Sequence, residues 1–235
     1  SACANAALLN HPASPIVRRL ESEVTRRALM GLAMGLTAIA LIYSPWGGRS
    51  GAHMNPAFTL AMLTLGKIAP WDAVFYIIAQ FAGGLAGVGL CAAAAPRVVS
   101  HPAVRYVTTV PGPRGPGAAL AGELAIATIL MAVALVMLSR GDASAYTGIV
   151  AGALVALFIT FESPLSGMGL NPARSLASAV VGRRFTSLWI YMLAPVMAMQ
   201  LTVVAYANFA GVRKDHCAKL NHPASGACVF GCDKR

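Results

Sequence analysis

The sequence predicts an all-α membrane protein built as an inverted repeat of spanning helices and half-length helices. Three observations carry that expectation. The chain is 57% hydrophobic and only 11% charged. Its charges fall in clusters separated by apolar runs of helix length, and a twelve-residue motif occurs twice. An ordinary soluble domain is roughly a quarter charged, so 26 charged side chains in 235 residues are too few to coat a water-soluble globule. The 23 Gly and 14 Pro stand among Leu, Ala, Val and Met, which excludes collagen-like and disordered chains.

A hydrocarbon core of ~30 Å takes about 20 helical residues. Uncharged runs of 21, 24, 19 and 28 residues lie between Arg27 and Arg49, Asp72 and Arg97, Asp142 and Glu162, and Arg184 and Arg213. Between Arg114 and Arg140 the only charge is Glu123. These runs predict five spans: 28–44 (ended by Pro45), 71–95, 118–139, 144–161 and 186–211. Ser1–Leu9 is apolar but too short to span before His11-Pro12-Ala13-Ser14-Pro15 breaks it. Residues 1–10 therefore read as the last turns of a helix whose beginning is absent.

The repeat fixes the organisation. Residues 50–61 and 166–177 match at seven of twelve positions with a constant offset of 116: Ser50/Ser166, Gly51/Gly167, Asn55/Asn171, Pro56/Pro172, Ala57/Ala173, Leu60/Leu176 and Ala61/Ala177. A long span precedes each copy, a short apolar stretch follows (56–66 and 172–181), and another long span comes next. About 11 residues at 1.5 Å each cross only half the core, so the short stretches are expected as half-helices. Three spans separate the copies. An odd number inverts the second half, so the half-helices enter from opposite faces and meet near the midplane. Matched, interrupted segments of this kind mark a transport site.

Within the motif, Pro56 and Pro172 suit the first helical position, and Asn55 and Asn171 suit the N-cap before it. An Asn that caps through its oxygen still has an amide NH₂ to point at a solute. The positive ends of two half-helices converge there, adding roughly half a charge each against cations. Ala57 and Ala173 are small enough for the helix starts to touch. Arg174 follows directly, and an intramembrane guanidinium implies a functional site.

With these residues in view, the chain resembles the aquaporin (major intrinsic protein) family over about residues 1–212. The resemblance rests on Ser-Gly-Ala-His-Met-Asn-Pro-Ala, Gly-Leu-Asn-Pro-Ala-Arg-Ser and Glu123. It implies an aquaporin-like right-handed bundle of six spans, the first mostly missing, with two re-entrant half-helices. The repeat halves would be about 1–95 and 118–211, and the assembly a homotetramer. The implied function is passive conduction of water, with small uncharged solutes such as glycerol, ammonia or metalloid hydroxides as further candidates, and exclusion of protons and ions. Glu123 matches a buried glutamate that supports a re-entrant loop, and His53 sits beside the first motif. Carried over by position, the constriction comprises Arg174, Met168, Ile159 and either Met34 or Gly35. Ser175, Ala179 and Tyr191 lean toward water, whereas Met192 departs from the Trp usual there. The resemblance implies no enzyme activity, no cofactor and a multi-pass protein of the plasma (inner) membrane.

Gly31 and Gly35 in one span, and Gly83, Gly84, Gly87 and Gly89 in the next, are expected to let helices cross closely. The net charge of +10 is spread over both faces, so the positive-inside rule does not fix orientation, and it does not signal nucleic acid. The resemblance alone puts the tail, 213–235, in the cytoplasm. Cys217, Cys228 and Cys232 with His216 or His222 have the makings of a Cys₃His zinc site; free thiols in a reduced tail are the other reading. A coupled secondary transporter shares this architecture, but coupling needs a titratable group on the substrate path. Only Glu123, His53 and Glu162 offer one.

Overall fold

The computed structural model describes residues 1–140, 143–209, 217–222, 228–230 and 232. Among the described residues the fold is all helical. In chain order the helices are α1 (Ala2–Asn10), α2 (Pro15–Arg19), α3 (Glu23–Tyr43), α4 (Pro45–Ser50), α5 (Pro56–Thr64) and α6 (Pro70–Ala94). They continue with α7 (Pro96–Val99), α8 (Gly115–Ser139), α9 (Thr147–Phe161), α10 (Ser163–Ser166), α11 (Pro172–Val181) and α12 (Leu188–Phe209). Five are long and apolar enough to cross a membrane: α3, α6, α8, α12, and α9 with the turn that opens at Ala143. α1 has nine residues, packs on α3 and buries Cys3, Ala6 and Leu9.

Local chemistry sets the helix ends. Proline occupies the first turn of α2, α4, α5, α6, α10 and α11, where its missing N–H costs nothing. The side chains of Ser22 and Ser44 cap α3 and α4. α4 and α10 both stop at a left-handed glycine, Gly51 (φ 77°) and Gly167 (φ 80°), a conformation that a Cβ disfavours. The next residues, Ala52 and Met168, also have positive φ, 58° and 50°. The 116-residue offset thus persists in the backbone itself.

The two halves meet along α3 and α9, which share the most extensive helix contact. A Cβ at Gly35 would stand 2.5 Å from the Gly152 carbonyl oxygen, and one at Gly31 would collide with that of Ala156. Backbone lies against backbone along this seam. α5 packs mainly on α12 and α11 mainly on α6, so each half-helix docks on both repeat-related spans. The expectation for α6 is corrected: of its glycines only Gly84 approaches a neighbour, the Ala173 carbonyl, whereas a Cβ at Gly83, Gly87 or Gly89 would meet open space. The side chains of Trp71, Phe75, Ile78 and Leu90 on the same helix are exposed. Apolar surface of this kind suits lipid or a neighbouring subunit rather than water.

Candidate functional site

α5 and α11 point their N-termini at each other across a single cavity of about 460 Å³ lined by Asn55 and Asn171. Asn55 Oδ1 accepts from the Ala57 N–H and Asn171 Oδ1 from the Ala173 N–H, each at 3.0 Å. The amides then cross. Asn55 Nδ2 donates to the Leu170 carbonyl at 2.9 Å, and Asn171 Nδ2 donates to the Met54 carbonyl at 2.7 Å. Met54 and Leu170 are themselves related by the 116 offset. Sequence reasoning gave the oxygen to the cap and both N–H groups of the amide to the cavity. In the structure one N–H of each NH₂ locks the opposite loop, leaving the second for a solute. Pro56, Ala57, Pro172 and Ala173 are buried at this junction.

Different groups brace the two loops. The fully buried Glu123 carboxylate accepts from the Ser166 hydroxyl and from the Gly169 and Leu170 N–H groups, each at 2.6 Å. Tyr191 donates to the Ser166 carbonyl at 2.6 Å. On the first loop His53 is buried, with Nδ1 3.2 Å from Thr59 Oγ1 and Nε2 3.0 Å from the Ala218 carbonyl. Gln80 Nε2 donates to the His53 carbonyl at 2.8 Å, and Tyr76 to the Ser50 carbonyl at 2.7 Å. Gln80 was not singled out from the sequence, although an amide in the middle of an apolar span was a usable signal.

Arg174, Met168, Ile159 and Met34 all line the cavity. Gly35 does not; its side is taken up by Gly152. Arg174 Nη1 donates to Thr109 Oγ1 at 2.9 Å, and Thr109 donates to Ser175 Oγ at 2.9 Å. Thr109 was missed: it lies in an aperiodic stretch between helices, and nothing in its spacing marks it. Ala179 is buried in α11, and Met192 is half-buried on α12. Glu162 caps the end of α9 and is buried, and among the described residues neither carboxylate oxygen finds a hydrogen-bond partner. Burial pushes its carboxyl up to about 7, and the Glu123 charge acts in the same direction.

Part of the tail lies against the first loop. The Leu220 N–H donates to the Gly51 carbonyl at 3.2 Å, and Lys219 Nζ to the Gly48 carbonyl at 2.9 Å. Leu220 itself lines the cavity. Arg26 and Arg27 line it too, and Arg26 stands about 24 Å along α3 from Ile42, a further lining residue 16 positions on. Cys217, His222, Cys228 and Cys232 bring their ligand atoms within 4.8 Å of one another. His216 lies outside the described residues.

The family model "Major intrinsic protein" matches residues 10–206. "Aquaporin NIP2-2" of Zea mays is 39% identical over 169 residues, 71% of this chain and 54% of that protein. "Probable aquaporin NIP7-1" of Arabidopsis thaliana is 35% identical over 75% of this chain and 62% of its own length. The "Lens fiber major intrinsic protein" of Gallus gallus is 33% identical over 74% and 66%. The chain thus spans about half the length of the first of these relatives. Among solved structures, the aquaglyceroporin from Plasmodium falciparum superposes with a TM-score of 0.70 at 19% identity, over 88% of this chain and 89% of that one. At that identity the likeness is one of fold.

Proposed function

The chain belongs to the major intrinsic protein family, and on that premise we propose that it forms a passive transmembrane channel for water and small uncharged solutes that excludes protons and ions. One observation carries the reading: Asn55 and Asn171 each keep one amide N–H facing the same cavity, at the positive ends of two opposed half-helices. A water that accepts from both turns its hydrogens outward and interrupts a proton wire. The converging dipoles raise the barrier to cations. Arg174 adds a fixed positive charge and hydrogen-bond donors at one mouth. Met34, Ile159 and Met168 give that mouth an apolar wall, wider and more adaptable than an aromatic or His-lined one.

In this reading residues 1–212 are the channel domain, the exposed apolar faces meet lipid or three further copies in a homotetramer, and the tail is cytoplasmic at the plasma membrane. A coupled cycle has no support from the site: Glu123 is consumed in bracing, His53 is enclosed behind Thr59 and Ala218, and Glu162 does not line the cavity. The test is stopped-flow light scattering of proteoliposomes under sucrose and glycerol gradients. Water flux well above empty liposomes, linear in gradient and indifferent to proton or sodium gradients, is expected. Saturating, gradient-coupled flux would overturn the reading.

A further inference from the structure

Outside the cavity, the described residues of the tail bring together four metal-ligating side chains. Cys217 Sγ lies 3.5 Å from Cys228 Sγ, and Cys232 Sγ lies 3.2 Å from His222 Nε2. All four ligand atoms fall within 4.8 Å of one another. A tetrahedral Cys₃His zinc with Zn–S of ~2.3 Å and Zn–N of ~2.0 Å has ligand–ligand edges of about 3.5–3.8 Å. Three thiols and one imidazole therefore already stand close to the edges of one coordination polyhedron. A pair of cysteines could approach this way for packing alone. Four ligands of two types converging from positions 217, 222, 228 and 232 of one short segment is a stronger coincidence.

The residues between the ligands face the other way. Between Cys217 and His222, the Ala218 carbonyl meets His53, Lys219 reaches the Gly48 carbonyl, and the Leu220 N–H reaches the Gly51 carbonyl. Between Cys228 and Cys232, the Phe230 ring stands 5.5 Å from His53 and 6.1 Å from Tyr76. Closing the ligands on an ion would therefore fix two adjoining turns against the first re-entrant loop.

We propose that Cys217, His222, Cys228 and Cys232 form a Cys₃His site for a zinc-class divalent ion, and that the bound ion pins the tail against the first loop where Leu220 lines the cavity. Each thiol releases its proton on binding, and the imidazole ligates in its neutral form. No oxidant is involved. The site does not depend on whether the chain conducts.

The test uses the reduced full-length chain, with zinc and cobalt ions as probes. One zinc per chain is expected, with a cobalt form showing thiolate-to-metal charge transfer and tetrahedral d–d bands. Cys217→Ser, Cys232→Ser and His222→Ala should each weaken zinc by about tenfold or more, since each removes one of four ligands; Cys91→Ser should not. With zinc present, hydrogen exchange at the Leu220 amide should slow by roughly tenfold or more, as its local opening becomes costlier. Absence of stoichiometric metal, or metal indifferent to those variants, overturns the site. Metal bound by these ligands with unchanged exchange at Leu220 overturns the pinning.

Discussion

Thr109 and Arg174, 65 residues apart, share one hydrogen bond that fixes the Arg174 guanidinium at the cavity wall: Thr109 Oγ1 accepts from Nη1 at 2.9 Å and is itself aligned by donating to Ser175. A hydrogen bond to a charged group contributes ~1.5–3 kcal/mol. Thr109→Val keeps the shape and removes the acceptor. The variant is expected to fold, and to pass glycerol more readily relative to water as Arg174 gains freedom. Arg174→Ala should raise glycerol and cation passage together. An unchanged glycerol-to-water ratio in Thr109→Val would show that Thr109 does not position Arg174.

Asn171→Asp replaces the amide that bonds the Met54 carbonyl with a carboxylate. The negative charge offsets both half-helix dipoles, and the crossed bond loses its donor. Proton and sodium leak should rise while the N-cap survives, because Asp is also a good cap. Leak equal to the parent, with comparable melting, would remove the barrier role from Asn171.

Ile159→His sets a bulky hydrogen-bonding ring into the cavity that Arg174 also lines. Water needs a single-file path, whereas glycerol needs width and an apolar wall for its carbon edge. Glycerol flux should therefore fall much more than water flux in paired swelling assays. A preserved ratio would mean that the passage is narrowest elsewhere.

Glu162 gives a pH-dependent expectation. Its folded carboxyl titrates at about 7, against ~4.3 for an unfolded glutamate. Between those values the folded chain holds a proton that the unfolded chain has released. Stability contributed here is thus present at low pH and is lost as pH rises from about 4.5 to about 7. Glu162→Gln should flatten that slope and raise the melting temperature above pH 7. Parallel melting profiles for parent and variant in detergent would count against it.

The paired motif was legible because its chemistry is local: a capping Asn, a Pro at the first helical position and a left-handed Gly act within a few residues. The spans were legible because charges are expensive in lipid. What was not legible required a partner distant in sequence. Thr109 matters only because Arg174 and Ser175 arrive beside it. Met34 and Gly35 could not be told apart from sequence, since one residue of loop length turns a helix face by about 100°. The tail offered ligand types, but only chain folding shows that His222 stands with the three cysteines.

The crossed amide bonds also have a consequence in time. Asn55 finds its partner carbonyl 115 residues downstream, at Leu170. At a synthesis rate of ~5–20 residues per second, the first loop waits roughly 6–23 s for that carbonyl to be made. During that interval Asn55, Pro56 and the helix they begin cannot settle at the midplane with their amide satisfied. The re-entrant geometry is thus a late event of biogenesis, completed from the far half of the chain. A ribosome stalled short of residue 170 should leave α5 displaced toward the membrane surface, where water can satisfy what Leu170 later will.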